Sequence, residues 1–135
     1  MPGSFFDTNV LLYTASSDDV KAERAEHLIA AGGVISVQVL NEIANVARCK
    51  MGFSWSRMNL LLSRIRQLLP VVPVTIDVHE TGLALAERYG LSIYDGMIAG
   101  AALDSGCDIL WSEDMHDRLV IEARLTVVNP FRFQS

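Results

Sequence analysis

Short apolar runs of strand type alternate with helix-length periodic segments along this chain, and that alternation constrains the fold more than any other feature. Phe5-Phe6-Asp7, with the apolar residues after Asn9, reads as a strand running into a turn. Val20 to Ala31 has helical spacing (Val20, Ala25, Leu28, Ile29) and stops at Gly32-Gly33. Val34-Ile35-Ser36 is a short buried strand. The pattern then predicts a helix over Val39 to Cys49 and another capped by Ser54, with Trp55, Met58, Leu62, Ile65 and Leu69 three or four residues apart. Pro70 ends that helix. Val71 to Ile76 is β-branched and reads as a strand. Helices follow from about Val78 to Tyr89 and from Ile93 to Ser105, stopped by Gly90 and Gly106. Asp108 to Trp111 and Leu125 to Val128 close the chain as strands. About five short strands with helices between them predict an α/β fold, a parallel sheet covered on both faces.

The length of 135 residues suits a single domain over 1–135. Half of the residues are apolar, so a core forms without disulfides or metal staples, and disorder and collagen are excluded. Cys49 and Cys107 read as reduced, core-filling thiols of a cytosolic protein. No apolar run approaches the about 20 residues of a membrane span. No basic stretch precedes Phe5-Phe6-Asp7, so no signal peptide is expected and a cytoplasmic location is. The net charge of −5 excludes a uniformly basic surface, not a local patch. From Ile43 to Ile76 there is no Asp or Glu and there are five basic residues, Arg48, Lys50, Arg57, Arg64 and Arg66. Arg57 and Arg64, seven apart, share a helix face. The stretch is either a phosphate track or a solvated amphipathic hairpin.

An open parallel sheet builds its site at the carboxyl ends of its strands. Asp7 follows the first apolar pair. Glu42 lies about one turn into the helix after the second strand. Asp95 opens an almost uncharged helix, Gly96 to Leu103, and Asp114 follows Ile109-Leu110-Trp111. Each has an ordinary reading: Asp7 a turn cap, Glu42 a solvated helix residue, Asp95 a helix cap, Asp114 a loop acid. Together they are more specific. Carboxylates flanked by apolar sequence need compensating charge, and Mg²⁺ or Mn²⁺ prefers carboxylate oxygens and water.

Phe5-Phe6-Asp7-Thr8-Asn9, Gln38-Val39-Leu40-Asn41-Glu42, Tyr94-Asp95-Gly96-Met97-Ile98-Ala99 and Trp111-Ser112-Glu113-Asp114, in that order, resemble the PIN-domain family. Within it they resemble the VapC-type toxins of prokaryotic toxin–antitoxin pairs. Val127-Val128-Asn129-Pro130-Phe131 is similar to the family's last strand, so the likeness runs over essentially the whole chain. It implies a three-layer α/β/α fold and a metal-dependent endoribonuclease with catalytic and metal-binding acids at Asp7, Glu42, Asp95 and Asp114. Asn9 and Ser112 match supporting polar positions. Many relatives carry Thr in place of Ser112, and the last acidic position varies, so Asp117 is an alternative to Asp114. The implied cofactor is one or two Mg²⁺ or Mn²⁺ ions. The implied partners are RNA, held by Arg48, Lys50, Arg57 and Arg64, a cognate antitoxin, and a second copy in a homodimer. The competing reading is a non-catalytic PIN-like binding or co-repressor module.

The remaining features read as structure. Trp55 and Met58 sit on the apolar stripe and are expected in the core. Gly96-Met97-Ile98-Ala99-Gly100 suggests close packing on the sheet or on a second subunit. His27, His79 and His116 share no metal-ligand spacing. No phosphate loop, nucleophile elbow or dinucleotide fingerprint is present. Asn9 stands where an aspartate-nucleophile phosphatase would need a second Asp.

Overall fold

The computed structural model describes residues 3–132. Strand β1 (Ser4–Phe6) ends at Asp7, whose carboxylate accepts the Thr8 amide hydrogen and caps helix α1 (Thr8–Leu12). The apolar residues after Asn9 are therefore helical, not the expected turn, and a 3-10 segment (Tyr13–Ala15) follows. Helix α2 (Asp19–Ala30) starts at Asp18, which accepts from the Lys21 amide. Strand β2 (Ile35–Ser36) runs straight into helix α3 (Val37–Cys49). Helix α4 (Trp55–Leu68) is capped by the Ser54 hydroxyl. Strand β3 is only Val71–Val72. Pro73 has no amide hydrogen for a ladder, and Thr75 caps helix α5 (Ile76–Tyr89), so Ile76 begins a helix instead of ending a strand. Gly90, at φ +67°, supplies the left-handed residue that stops α5. Helix α6 (Ile93–Asp104) is followed by β4 (Ile109–Trp111), β5 (Val120–Ile121) and β6 (Leu125–Val128).

The four strands β1-β4-β6-β5 form one sheet, parallel except for β5. Strands β2 and β3 pair in parallel beside it, joined to β1 through a bridge between Phe5 and Val34. The order across the molecule is thus β3-β2-β1-β4-β6-β5, giving the expected α/β/α architecture with one strand more than anticipated. Phe5, Phe6, Ile35, Ile98, Leu110, Ile121 and Leu125 are fully buried and form the centre of the core.

Helix α6 is buried from Gly96 through Leu103, which explains its nearly uncharged sequence. Its glycines face a helix, not the sheet or a second copy. A side chain at Gly96 would run into the Gly82 carbonyl oxygen of α5, and one at Gly100 would lie 3.1 Å from the Gly82 nitrogen. On α4, Met58 and Ile65 are buried as expected, as is Leu69 just after it, but Trp55 is 64% exposed. It stands in the helix's first turn, with the Arg48 guanidinium 4.5 Å from its ring centre. Cys107 is buried and Cys49 is exposed, so only one thiol fills the core. Among the described residues, no helix is long and apolar enough to cross a membrane.

Candidate active site

Parallel pairing of β1 with β4 places Phe6 opposite Trp111. The next residues of the two strands, Asp7 and Ser112, therefore emerge together at the carboxyl edge. The Asp7 amide donates to the Trp111 carbonyl at 2.9 Å. Asp7 is 3% exposed. Its Oδ2 accepts the Ser112 hydroxyl at 2.6 Å and its Oδ1 accepts the Thr8 amide at 2.7 Å. Asn9 spans the same edge: its Nδ2 donates to Asp7 Oδ2 at 3.5 Å, and its Oδ1 accepts the Glu113 amide at 3.2 Å. Both residues expected to support the site, Asn9 and Ser112, thus touch the Asp7 carboxylate.

Glu42 projects from α3 toward this edge. Thr8 Oγ1 donates to its Oε1 at 3.1 Å and Gln38 Nε2 to its Oε2 at 3.0 Å. Asp95 lies in the first turn of α6; the cap is Ser92, whose hydroxyl accepts the Asp95 amide at 3.1 Å. Ser92-Ile93-Tyr94-Asp95 is a capping-box spacing, so this support was readable in the sequence. Thr8 and Gln38 carried no comparable signal, because neither becomes a clamp for Glu42 until α1 and α3 pack. Asp114 is exposed in the loop after β4.

These acids feel one another. Burial pushes the Asp7 carboxyl up from 3.8 to about 7; the charges of Asp95 and Glu42 add to the rise, while the Ser112 and Thr8 hydrogen bonds oppose it. Asp95 is raised chiefly by burial, then by the charges of Glu42 and Asp114, against the Ser92 hydrogen bond. Asp7, Glu42, Asp95 and Asp114 thus share one electrostatic field. Asp117 does not enter it through either aspartate: its Oδ1 accepts the Asn129 amide at 2.7 Å and its Oδ2 faces Arg132 at 3.5 Å. It anchors the segment after β6.

Among the described residues, no cation pairs with any of these four acids. Lys21 is committed elsewhere, to Glu113 at 2.5 Å and to the Tyr13 hydroxyl at 3.1 Å. Tyr13 donates to the other Glu113 oxygen at 2.5 Å. Contact with Glu113 raises the Lys21 pKa, so the cation stays charged while neutralising that carboxylate alone. Among the described residues, no three His, Cys, Asp or Glu side chains are close enough together to hold a metal ion. The donor chemistry nevertheless fits a hard divalent cation: carboxylate oxygens only, uncompensated, one of them buried.

The four basic candidates are all exposed. Arg57 and Arg64 line a groove of about 740 Å³ together with Ile29, Leu60, Leu61 and Leu68. Arg48 lines a separate cleft between α3 and α4. Lys50 follows the end of α3.

The PIN-domain family model matches residues 4–120, and the chain belongs to that family. Its fold is shared with solved toxin structures. A toxin–antitoxin complex from Klebsiella pneumoniae is 22% identical at a TM-score of 0.71, covering 96% of this chain and 99% of that one. VapC20 of Mycobacterium tuberculosis, a sarcin–ricin-loop-cleaving toxin, is 21% identical at 0.66, covering 82% and 89%. VapBC2 of Rickettsia felis, bound to a promoter DNA fragment, is 20% identical at 0.62, covering 92% and 96%. No relative among curated proteins matches the sequence.

Proposed function

We propose that the protein is a metal-dependent endoribonuclease that hydrolyses RNA phosphodiester bonds, and that it is the toxin of a toxin–antitoxin pair. The carrying observation is the buried Asp7 carboxyl, pushed to about 7 by burial and by facing acids, with no cation among the described residues paired to it. Membership of the PIN family and the likeness to VapC structures support the same reading.

Asp7 and Asp95 are assigned as the main ligands of one or two Mg²⁺ or Mn²⁺ ions, with Glu42 and Asp114 completing the set. A bound divalent ion supplies a lowered pKa for its water and neutralises charge on the phosphate. The protein's part is orientation. Ser112, Asn9 and the Thr8 amide together fix the orientation of the Asp7 carboxylate. Thr8 and Gln38 hold both oxygens of Glu42, which suits that residue to aligning the attacking water. Asn9 ties the loop bearing Asp114 to α1 through the Glu113 amide. Asp117, occupied with Asn129 and Arg132, is not assigned a catalytic role.

Arg48, Lys50, Arg57 and Arg64 supply the positive potential that an acidic protein needs to retain a polyanion. The groove between α2 and α4, with its exposed Leu60 and Leu68, suits an apolar segment of an antitoxin. A homodimer and a cytoplasmic location complete the proposal.

The non-catalytic alternative draws on one observation, the lack among the described residues of three acids already close enough to grip an ion. Two measurements separate the readings. Calorimetric titration with Mn²⁺ gives saturable binding if the acids close around the ion, and none for a pure binding module. Incubation with total RNA and Mn²⁺ yields discrete cuts that chelator abolishes, and Asp7→Asn or Asp95→Asn removes them while leaving the circular dichroism spectrum intact. Undiminished cutting by either variant ends the assignment.

A further inference from the structure

The exposed Trp55 is not explained by the core. A half-open indole in the first turn of a helix forgoes burial of a large apolar surface, so its position calls for an account. Three observations surround it. First, Trp55 lines a cleft of about 440 Å³ with Ala44, Asn45, Arg48, Cys49 and Met58. That volume lies within the range of small-ligand clefts, roughly 300–1,000 Å³. Second, Arg48 is held in place. Its Nη1 donates to the Phe53 carbonyl at 2.8 Å, and its guanidinium stands 4.5 Å from the Trp55 ring centre. Third, the residues from 43 to 76 that build this hairpin carry no acid, while the rest of the chain carries all sixteen.

The cleft and the acidic edge share helix α3. Glu42 and Cys49 are seven residues apart on α3, two turns along one face, a distance of about 10 Å. Three stacked nucleotides at about 3.4 Å each cover that length.

We infer that the α3–α4 cleft is a base-stacking subsite for single-stranded RNA. Trp55 presents its indole to a base, and Arg48, with Lys50 beyond it, holds the adjoining phosphate. The inference rests on the nuclease reading and adds to it a location for nucleotides flanking the cut. Stacking on an aromatic side chain tolerates any base, so this subsite contributes affinity and register more than sequence choice. An arginine fixed by a backbone carbonyl loses little freedom when a phosphate arrives, which favours an anionic strand over an apolar protein surface as occupant.

The test uses fluorescence. In full-length Asp7→Asn protein carrying Trp111→Phe, Trp55 is the only tryptophan. Titration with an oligouridylate of about eight nucleotides quenches its emission saturably. Trp55→Phe in the chain that keeps Trp111 loses the quenching, so the result does not depend on the Trp111 variant folding well. Trp55→Ala weakens oligonucleotide binding, read by anisotropy, by about 5- to 150-fold, the range for loss of one stacked base. Binding with no quenching and unchanged affinity in Trp55→Ala overturns the subsite while leaving the nuclease reading in place. So does a Trp55→Ala variant whose only defect is conversion of a dimer to a monomer, which assigns the cleft to a second copy. Absence of any metal-dependent cutting by the unmodified protein is a different failure: it removes the nuclease reading, and the subsite with it.

Discussion

Asp7 sets the chemistry at the scale of the residue. A carboxyl whose folded pKa stands near 7, against 3.8 when solvated, is stabilised by its proton. The folded state therefore binds that proton more tightly than the unfolded chain does. The metal-free protein loses stability as pH rises from about 4 to about 7, by on the order of 4 kcal/mol for a shift of this size. Urea midpoints of the chelated protein should fall between pH 5 and pH 8, and Asp7→Asn should flatten that fall. Added Mn²⁺ should restore the midpoint at pH 8 in the unmodified protein only. A pH-independent midpoint in the chelated protein would contradict the burial that defines this site. The polar partners of Asp7 were legible in part. Asn9 and Ser112 were legible only through the resemblance to the PIN-domain motifs; Asn9 lies inside α1 and Ser112 is fully buried, so the apolar pattern alone did not mark them. The Lys21–Tyr13–Glu113 cluster was not legible, because it joins residues up to 100 positions apart across three elements.

That cluster acts at the scale of elements. Glu113 immediately precedes Asp114, and its two oxygens are held by Tyr13 and Lys21. The Lys21 ammonium also lies 4.6 Å from the Tyr13 ring centre and 5.3 Å from that of Phe131. Helix α2 is thereby tied to the loop after β4. Lys21→Met should cost about 1–2 kcal/mol in chemical unfolding, and a double-mutant cycle with Glu113→Gln should return a coupling of similar size. Strictly additive losses would show that the pair is not coupled. Element existence was otherwise readable wherever periodicity was strong, as in α3, α4 and α5. The misses have physical causes. α1 is five residues long and depends on the Asp7 cap. The β5–β6 hairpin turns through Glu122 and Ala123, both at positive φ, +52° and +55°. Such a turn normally announces itself with Asn-Gly or Asp-Gly, and Glu-Ala gives no such signal. Ala123→Gly should relieve the left-handed strain and stabilise the protein by about 1 kcal/mol. A lower melting temperature for that variant would place the strain elsewhere.

At the scale of the whole molecule, charge is divided. All sixteen acids lie outside the stretch from Ile43 to Ile76, which holds five of the eleven cations. The sequence disclosed this imbalance, but only the packing of the helices puts Arg48 in the α3–α4 cleft and Arg57 and Arg64 in the α2–α4 groove. Replacing Arg57 and Arg64 together should reduce the slope of log affinity for single-stranded RNA against log salt by about 1.4, roughly 0.7 for each phosphate no longer neutralised. An unchanged slope would confine those two residues to the α2–α4 groove and leave RNA retention to Arg48 and Lys50.

The outermost strands carry a consequence for assembly. β3 has two residues, between Pro70 and Pro73, and β5 has two residues, running against the direction of the sheet. Neither margin offers an incoming chain more than a brief row of unmet backbone groups, and prolines flank the one at β3. Both margins therefore disfavour lateral growth of the sheet by strand addition.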